Sequence, residues 1–143
     1  MTSHRLPWFS AIALLAMWLI LPMSLQAQDK VQKTLTKAEE AYRESQFLDA
    51  EELYLKVLAA DPDNYEAVYR LGRIKRRFQD YREALRYFRK AAEIDSARND
   101  TVYLLMGLTY KILDNCRKGT EAFRIFLQRH GDQGIYAQRA LRA

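Results

Sequence analysis

Cysteine, histidine, proline and glycine are all scarce here: one, two, three and five in 143 residues. Each shortage excludes something. A lone Cys116 rules out a disulfide within the chain. With few prolines and glycines, and no persistent strand-like alternation, the natural class is all-helical. Chemistry is equally poorly provided for. There is no Gly-rich phosphate loop, no His-Glu-x-x-His pattern and no cluster with metal-ligand spacing. Cys116 and His130 stand at the two ends of one expected helix. At about 1.5 Å per residue they are about 21 Å apart, too far for a catalytic dyad. The expectation is therefore no catalytic residues, no metal, no cofactor and no enzyme.

What is present suits a folded chain, with 49% apolar and 29% charged residues. The net charge of +5 is unevenly spread. Counting Lys and Arg against Asp and Glu, residues 31–64 hold four against eight, residues 65–98 ten against five, and residues 99–143 seven against four. The balances are −4, +5 and +3. A nucleic-acid binder would prefer one continuous basic face, so no nucleic acid is expected. Opposite charge in successive segments instead suggests head-to-tail self-association.

Residues 1–27 read as a targeting segment. Arg5 precedes an apolar run over residues 11–21, followed by Pro22, Ser24 and Leu25-Gln26-Ala27. Such a run fits a secretory signal and is short of the roughly 20 residues that span a bilayer. The reading is a signal peptide cut after Ala27, with an uncleaved inner-membrane anchor over residues 6–25 as the alternative. Both place the chain outside the cytoplasm, in the periplasm or cell envelope. Trp8 and Trp18, the only tryptophans, fall in this segment.

Beyond it, one pattern recurs. Val68-x2-Leu71-Gly72-x2-Lys75 precedes Ala84-x3-Phe88, with Ala91 on the next turn. Large and small side chains at these intervals suit two antiparallel helices in close contact. Ala50-x3-Tyr54 stands before Ala84-x3-Phe88 as an earlier copy. Gly119-x3-Phe123 follows at the same interval plus one, preceded by Tyr103-x2-Met106-Gly107-x2-Tyr110. Helices are expected over residues 31–45, 47–60, 65–78, 81–94, 100–113 and 116–129, with residues 28–30 a polar lead. Pro62 ends the second, Asp63 or Asn64 caps the third, and Asp80 with Glu83 spaces a capping box before the fourth. Ser96 stands where the first copy has Pro62, and the one extra position of the later interval falls at residues 97–99. Asn99-Asp100-Thr101 matches a glycosylation sequon, read as a turn with a capping asparagine. Gly131 serves as a left-handed cap. Cys116 aligns with Phe47 and Tyr81 and is expected to be buried, and Glu39, Glu40 and Glu44 to solvate the first helix.

This pattern resembles the tetratricopeptide repeat (TPR), whose period of about 34 residues matches the interval from Ala50 to Ala84. The resemblance implies an all-α solenoid of three helix–turn–helix repeats, over residues 31–64, 65–98 and 99–133, with a capping helix at 134–143. It also implies a partner-binding groove along the first helices of the repeats. Carried onto this chain, the family's groove positions are Leu35, Glu39, Tyr42 and Arg43, then Tyr69, Arg70, Arg73, Arg76 and Arg77, then Thr101, Leu104, Leu108, Lys111 and Ile112. Of these, Tyr42, Tyr69, Arg70, Arg73, Arg76, Arg77, Leu104, Leu108 and Lys111 are the candidate site. Arginine beside aromatics is the composition of recognition hot spots, and guanidinium forks suit carboxylates. The family's carboxylate clamp is not implied, because Leu35 and Glu39 replace its lysine and asparagine. The expected role is a non-catalytic protein–protein interaction scaffold of the bacterial cell envelope, taking a protein or peptide of acidic character. The alternative is the repeat region, or a short relative, of a larger multidomain outer-membrane or peptidoglycan-associated protein.

Overall fold

A computed structural model describes residues 8–95, 98, 101–131, 135, 138, 140 and 142, and for residues 8–25 the backbone course only. Six helices follow one another: α1 (Trp8–Arg43), α2 (Phe47–Ala60), α3 (Tyr65–Arg77), α4 (Tyr81–Ile94), α5 (Thr101–Ile112) and α6 (Cys116–His130). No strand occurs among the described residues. Each helix packs on the next, giving three antiparallel hairpins stacked in chain order. Ser96, residues 97 and 99, the Asn99-Asp100-Thr101 sequon apart from Thr101, and most of the expected capping helix lie outside the described residues. Of that last segment Ala140 is buried against Leu104, Phe123 and Phe126.

The turn inside each hairpin is made the same way. At the end of α1 the Gln46 N–H donates to the Ala41 carbonyl and the Ser45 N–H to Tyr42. The pairs Asp80 to Lys75 and Gln79 to Arg76 repeat this after α3, and Asn115 to Tyr110 and Asp114 to Lys111 after α5. This is the Schellman pattern, which needs one left-handed residue. Ser45, Gln79 and Asp114 take that role, with φ of 64°, 64° and 56°. Glycine would do so without strain, yet none of the three turns has one.

Helix starts follow the local chemistry. The Asn64 side chain accepts from the Ala67 N–H at 3.1 Å, and Asp80 from the Glu83 N–H at a longer 3.4 Å. Gly131 has the positive φ expected of it, 71°, but ψ is −174°, an extended conformation open essentially to glycine alone rather than the left-handed helical one. The start of α1 differs from expectation: the helix does not begin at residue 31 but runs continuously from Trp8. No glycine or proline separates residues 23 and 31, so nothing in the polar lead stops it.

Inside each hairpin an aromatic ring lies on a small residue. A Cβ built on Gly72 would stand 2.6 Å from Phe88 Cε1. Gly107 faces Phe123 in the same way. Ala38 is the first-repeat counterpart, with Tyr54 opposite in the same core cluster. Ala50 and Ala84 are fully buried at the facing positions, and Gly119 is buried against Gly107 and Tyr110. The cores join across repeats: Ala67, Leu71 and Ile74 of α3 pack with Tyr54 and Val57 of α2, and Val102 of α5 with Val68 and Phe88. Thr109, fully buried, satisfies its hydroxyl by donating to the Leu105 carbonyl at 2.6 Å.

Three ion pairs tie the first repeat to the second: Glu39–Arg70 at 2.9 Å, Glu51–Lys75 at 2.6 Å and Asp63–Lys90 at 3.3 Å. Part of the charge contrast seen in the sequence is thus satisfied within the chain. Glu39 does not merely solvate α1, because it reaches into this junction. Cys116 is exposed, contrary to the buried thiol expected from its alignment. Phe47 at the equivalent place is large enough to reach Tyr42, at 5.4 Å between centroids, whereas a thiol at the first residue of α6 is too short to reach the core.

Candidate partner-binding groove

The stacking leaves a groove of about 570 Å³ along α1, α3 and α5. Residues 69, 73, 76 and 77 follow helical periodicity, so Tyr69, Arg73, Arg76 and Arg77 share one side of α3 and form its floor. Leu104, Leu105 and Leu108 make an apolar wall on α5, with Thr101 at its start. Tyr42 and Phe47 close the side nearest the first repeat.

The arginines divide into two kinds. Arg70 is committed to structure. Its Nε and Nη2 donate to the two Glu39 carboxylate oxygens at 3.0 and 2.9 Å, and Nε also meets Glu66 at 2.9 Å. The Tyr54 hydroxyl donates to the same Glu39 at 2.5 Å. Burial first, then that hydrogen bond to a carboxylate, pushes the Tyr54 hydroxyl well above the ordinary tyrosine range. Burial opposes the charge on Arg70, but Glu39 and Glu66 outweigh it and hold the guanidinium protonated still more firmly. Arg73, Arg76 and Arg77 have no carboxylate partner among the described residues. Aromatic faces support two of them. Arg73 lies between Tyr42 and Tyr69, 5.5 and 5.8 Å from their centroids, and Arg77 lies 4.3 Å over Phe47. Such stacking holds a guanidinium in place while leaving its N–H edge free to meet an anion. Arg76 Nε is buried without a hydrogen-bond partner. Tyr69 is fixed by its hydroxyl contact with Thr101 at 2.9 Å.

Of the residues singled out in the sequence, Tyr42, Tyr69, Arg73, Arg76, Arg77, Leu104 and Leu108 come together around this groove. Arg70 adjoins it, stacked 4.8 Å over the Tyr42 ring but turned to Glu39. Lys111 is exposed and does not line it. Phe47 and Leu105 line it without having been assigned to the groove from the sequence. Phe47 was hidden by its place at a helix start that reads as core. Leu105 was hidden by its neighbour Leu104, because the pattern assigns only one of two adjacent leucines to the groove.

Residues 41–96 match the sequence model of the tetratricopeptide repeat. The solved fold neighbours agree. The Arabidopsis OM64 TPR domain superposes with a TM-score of 0.72 at 20% identity, over 81% of this chain and 94% of that one. The first TPR of Spaghetti (RPAP3), bound to the HSP90 peptide SRMEEVD, gives 0.71 at 17% identity over 80% and 89%. The Sgt2 TPR domain from Aspergillus fumigatus gives 0.67 at 16% identity over 79% and 75%. Residues 41–96 are tetratricopeptide repeats, and the chain as a whole has the TPR fold. In TPR terms α1–α2, α3–α4 and α5–α6 are its three repeats, and α1 extends well before the first. No curated protein matches the sequence. Among the described residues no cluster of His, Cys, Asp or Glu could hold a metal ion, and no helix is long and apolar enough to cross a membrane.

Proposed function

We propose that this TPR-fold protein is a non-catalytic interaction scaffold, and that its groove takes a partner segment carrying carboxylates beside an apolar side chain. One observation carries the reading: three guanidiniums without carboxylate partners among the described residues face a wall of leucines across the same groove. Guanidiniums held on aromatic rings suit carboxylates, and Leu104 and Leu108 would receive the apolar residue. A fold neighbour bound to a peptide with glutamates beside valine supports the class of ligand. The segment at residues 1–27 supports export to the bacterial envelope as the place where the scaffold works.

Two measurements test this. Titrating fluorescent peptides that pair glutamate with leucine should give binding that weakens as salt rises. The double variant Arg73→Gln/Arg77→Gln should lose about tenfold or more, on the scale of one or two charge-assisted contacts. Equal affinity for a glutamine-substituted peptide, or no loss in the variant, would refute the groove assignment. For export, the envelope fraction should contain a chain that begins at Gln28 and emits tyrosine but no tryptophan fluorescence. Recovery from the cytoplasm alone would refute that part.

A further inference from the structure

The outer side of α2 is unlike that of its counterparts. Leu48 and Leu55 are 75% and 44% exposed, and they stand two helical turns apart with Glu52 between them. The equivalent positions on α4 are Arg82 and Arg89, and on α6 Arg117 and Arg124. Only the first repeat carries isobutyl groups where the other two carry guanidiniums. The core of α2 does not call for them, because Ala50, Tyr54 and Val57 supply its buried face. Asp49 lies beside this ridge, and Glu52 has only an exposed partner, Lys56. An exposed pair of that kind is readily exchanged for another cation.

The groove is the chemical complement of this ridge. It offers leucines for leucines, and Arg73, Arg76 and Arg77 for Asp49 and Glu52. The charge contrast points the same way even after Glu39, Glu51 and Asp63 are spent on internal pairs. Glu40, Glu44, Asp49 and Glu52 remain on the surface of the first repeat outside those pairs. We infer that the ridge of one copy, Leu48-Asp49-Glu52-Leu55, seats in the groove of a second copy, so that the protein associates head to tail with itself. This rests on the groove reading above and names an occupant for it. The contact joins two different patches, so every copy added leaves one groove and one ridge free, and growth continues unless the rotation closes a ring.

Sedimentation velocity on the full chain tests the idea. The weight-average mass should rise about twofold or more between about 1 μM and 100 μM, and less so at high salt. Leu48→Arg/Leu55→Arg installs what the other repeats already carry, so the helix should form normally, and this variant should lose the concentration dependence. Arg73→Glu/Arg77→Glu, checked for native helicity, should lose it too, with Arg77→Gln as the milder substitute if the double change unfolds. Mixed one to one, the two variants should form a dimer and nothing larger, because one keeps its groove and the other its ridge. Any association through the apolar N-terminal segment is common to all variants and would survive in each. A wild type of constant mass, variants that associate as the wild type does, or a mixture that stays monomeric would each overturn the proposal. If the Leu48→Arg/Leu55→Arg variant binds the glutamate–leucine peptide while the wild type is monomeric, the groove stands and self-association alone falls.

Discussion

Two glycines at related points of the repeat should answer the same substitution with opposite signs. In Gly72→Ala the new methyl would lie 2.6 and 2.7 Å from two ring atoms of Phe88. That ring is fully buried between α3 and α4, so it cannot step aside without moving the hairpin. Overpacking of this kind costs about 1–3 kcal/mol, against roughly 1 kcal/mol gained by replacing glycine in a helix interior. Contacts under 3 Å place the cost at the upper end of that range, so the net expectation is a loss of about 2 kcal/mol. In Gly119→Ala the nearest atom is the Gly107 carbonyl oxygen at 3.4 Å, followed by Tyr110 Cβ at 3.7 Å, which is ordinary contact. Only the helix gain remains, about 0.5–1 kcal/mol of added stability. Urea unfolding followed by circular dichroism reads both, as midpoint shifts at constant slope. A neutral Gly72→Ala, or a Gly119→Ala that destabilises, would show that the ring-on-glycine contact does not set the hairpin spacing.

Gln79→Gly should stabilise by about 0.5 kcal/mol, since it relieves a left-handed residue at some cost in unfolded-chain freedom; a lowered urea midpoint would contradict this. Stability should fall as pH rises above about 10. Burial raises the Tyr54 and Tyr65 hydroxyls, so the unfolded chain releases those protons first and the contribution is complete only below that pH. Tyr54→Phe should flatten the alkaline slope of the urea midpoint, and an unchanged slope would remove Tyr54 as its source. Exposed Cys116 should react with a thiol reagent in the folded state, one equivalent per chain and at a rate unchanged by denaturant-induced opening. Protection until unfolding would restore the buried thiol that its alignment suggested.

The junction between the first two repeats and the groove draw on the same helix face. Arg70 and Arg73 are one turn apart on α3, yet Glu39 claims the first and leaves the second free. Glu39 lies one full repeat before Arg73, where the second repeat carries a groove residue. An acid at the groove position of one repeat thus becomes an internal anchor for its neighbour. The sequence shows the charges but not which of them meet.

The repeat itself was legible in the chain, because it rests on local spacing. Gly72 and Gly107 recur at matching points of successive copies, as do Ala50 and Ala84, and helical periodicity needs no long-range information. Those positions determine the number of hairpins and where they turn, whereas the groove positions were implied by the family resemblance. Side-chain reach and pairing across repeats were decided only by the tertiary structure. Cys116 is exposed because its side chain is too short to reach the core from the helix start. Arg70 is withdrawn because Glu39, distant in the chain, lies 2.9 Å from its guanidinium. Leu48 and Leu55 form a ridge because no neighbouring element among the described residues covers that side of α2. Periodicity assigns each residue to a face, and only the packed chain shows what stands opposite it.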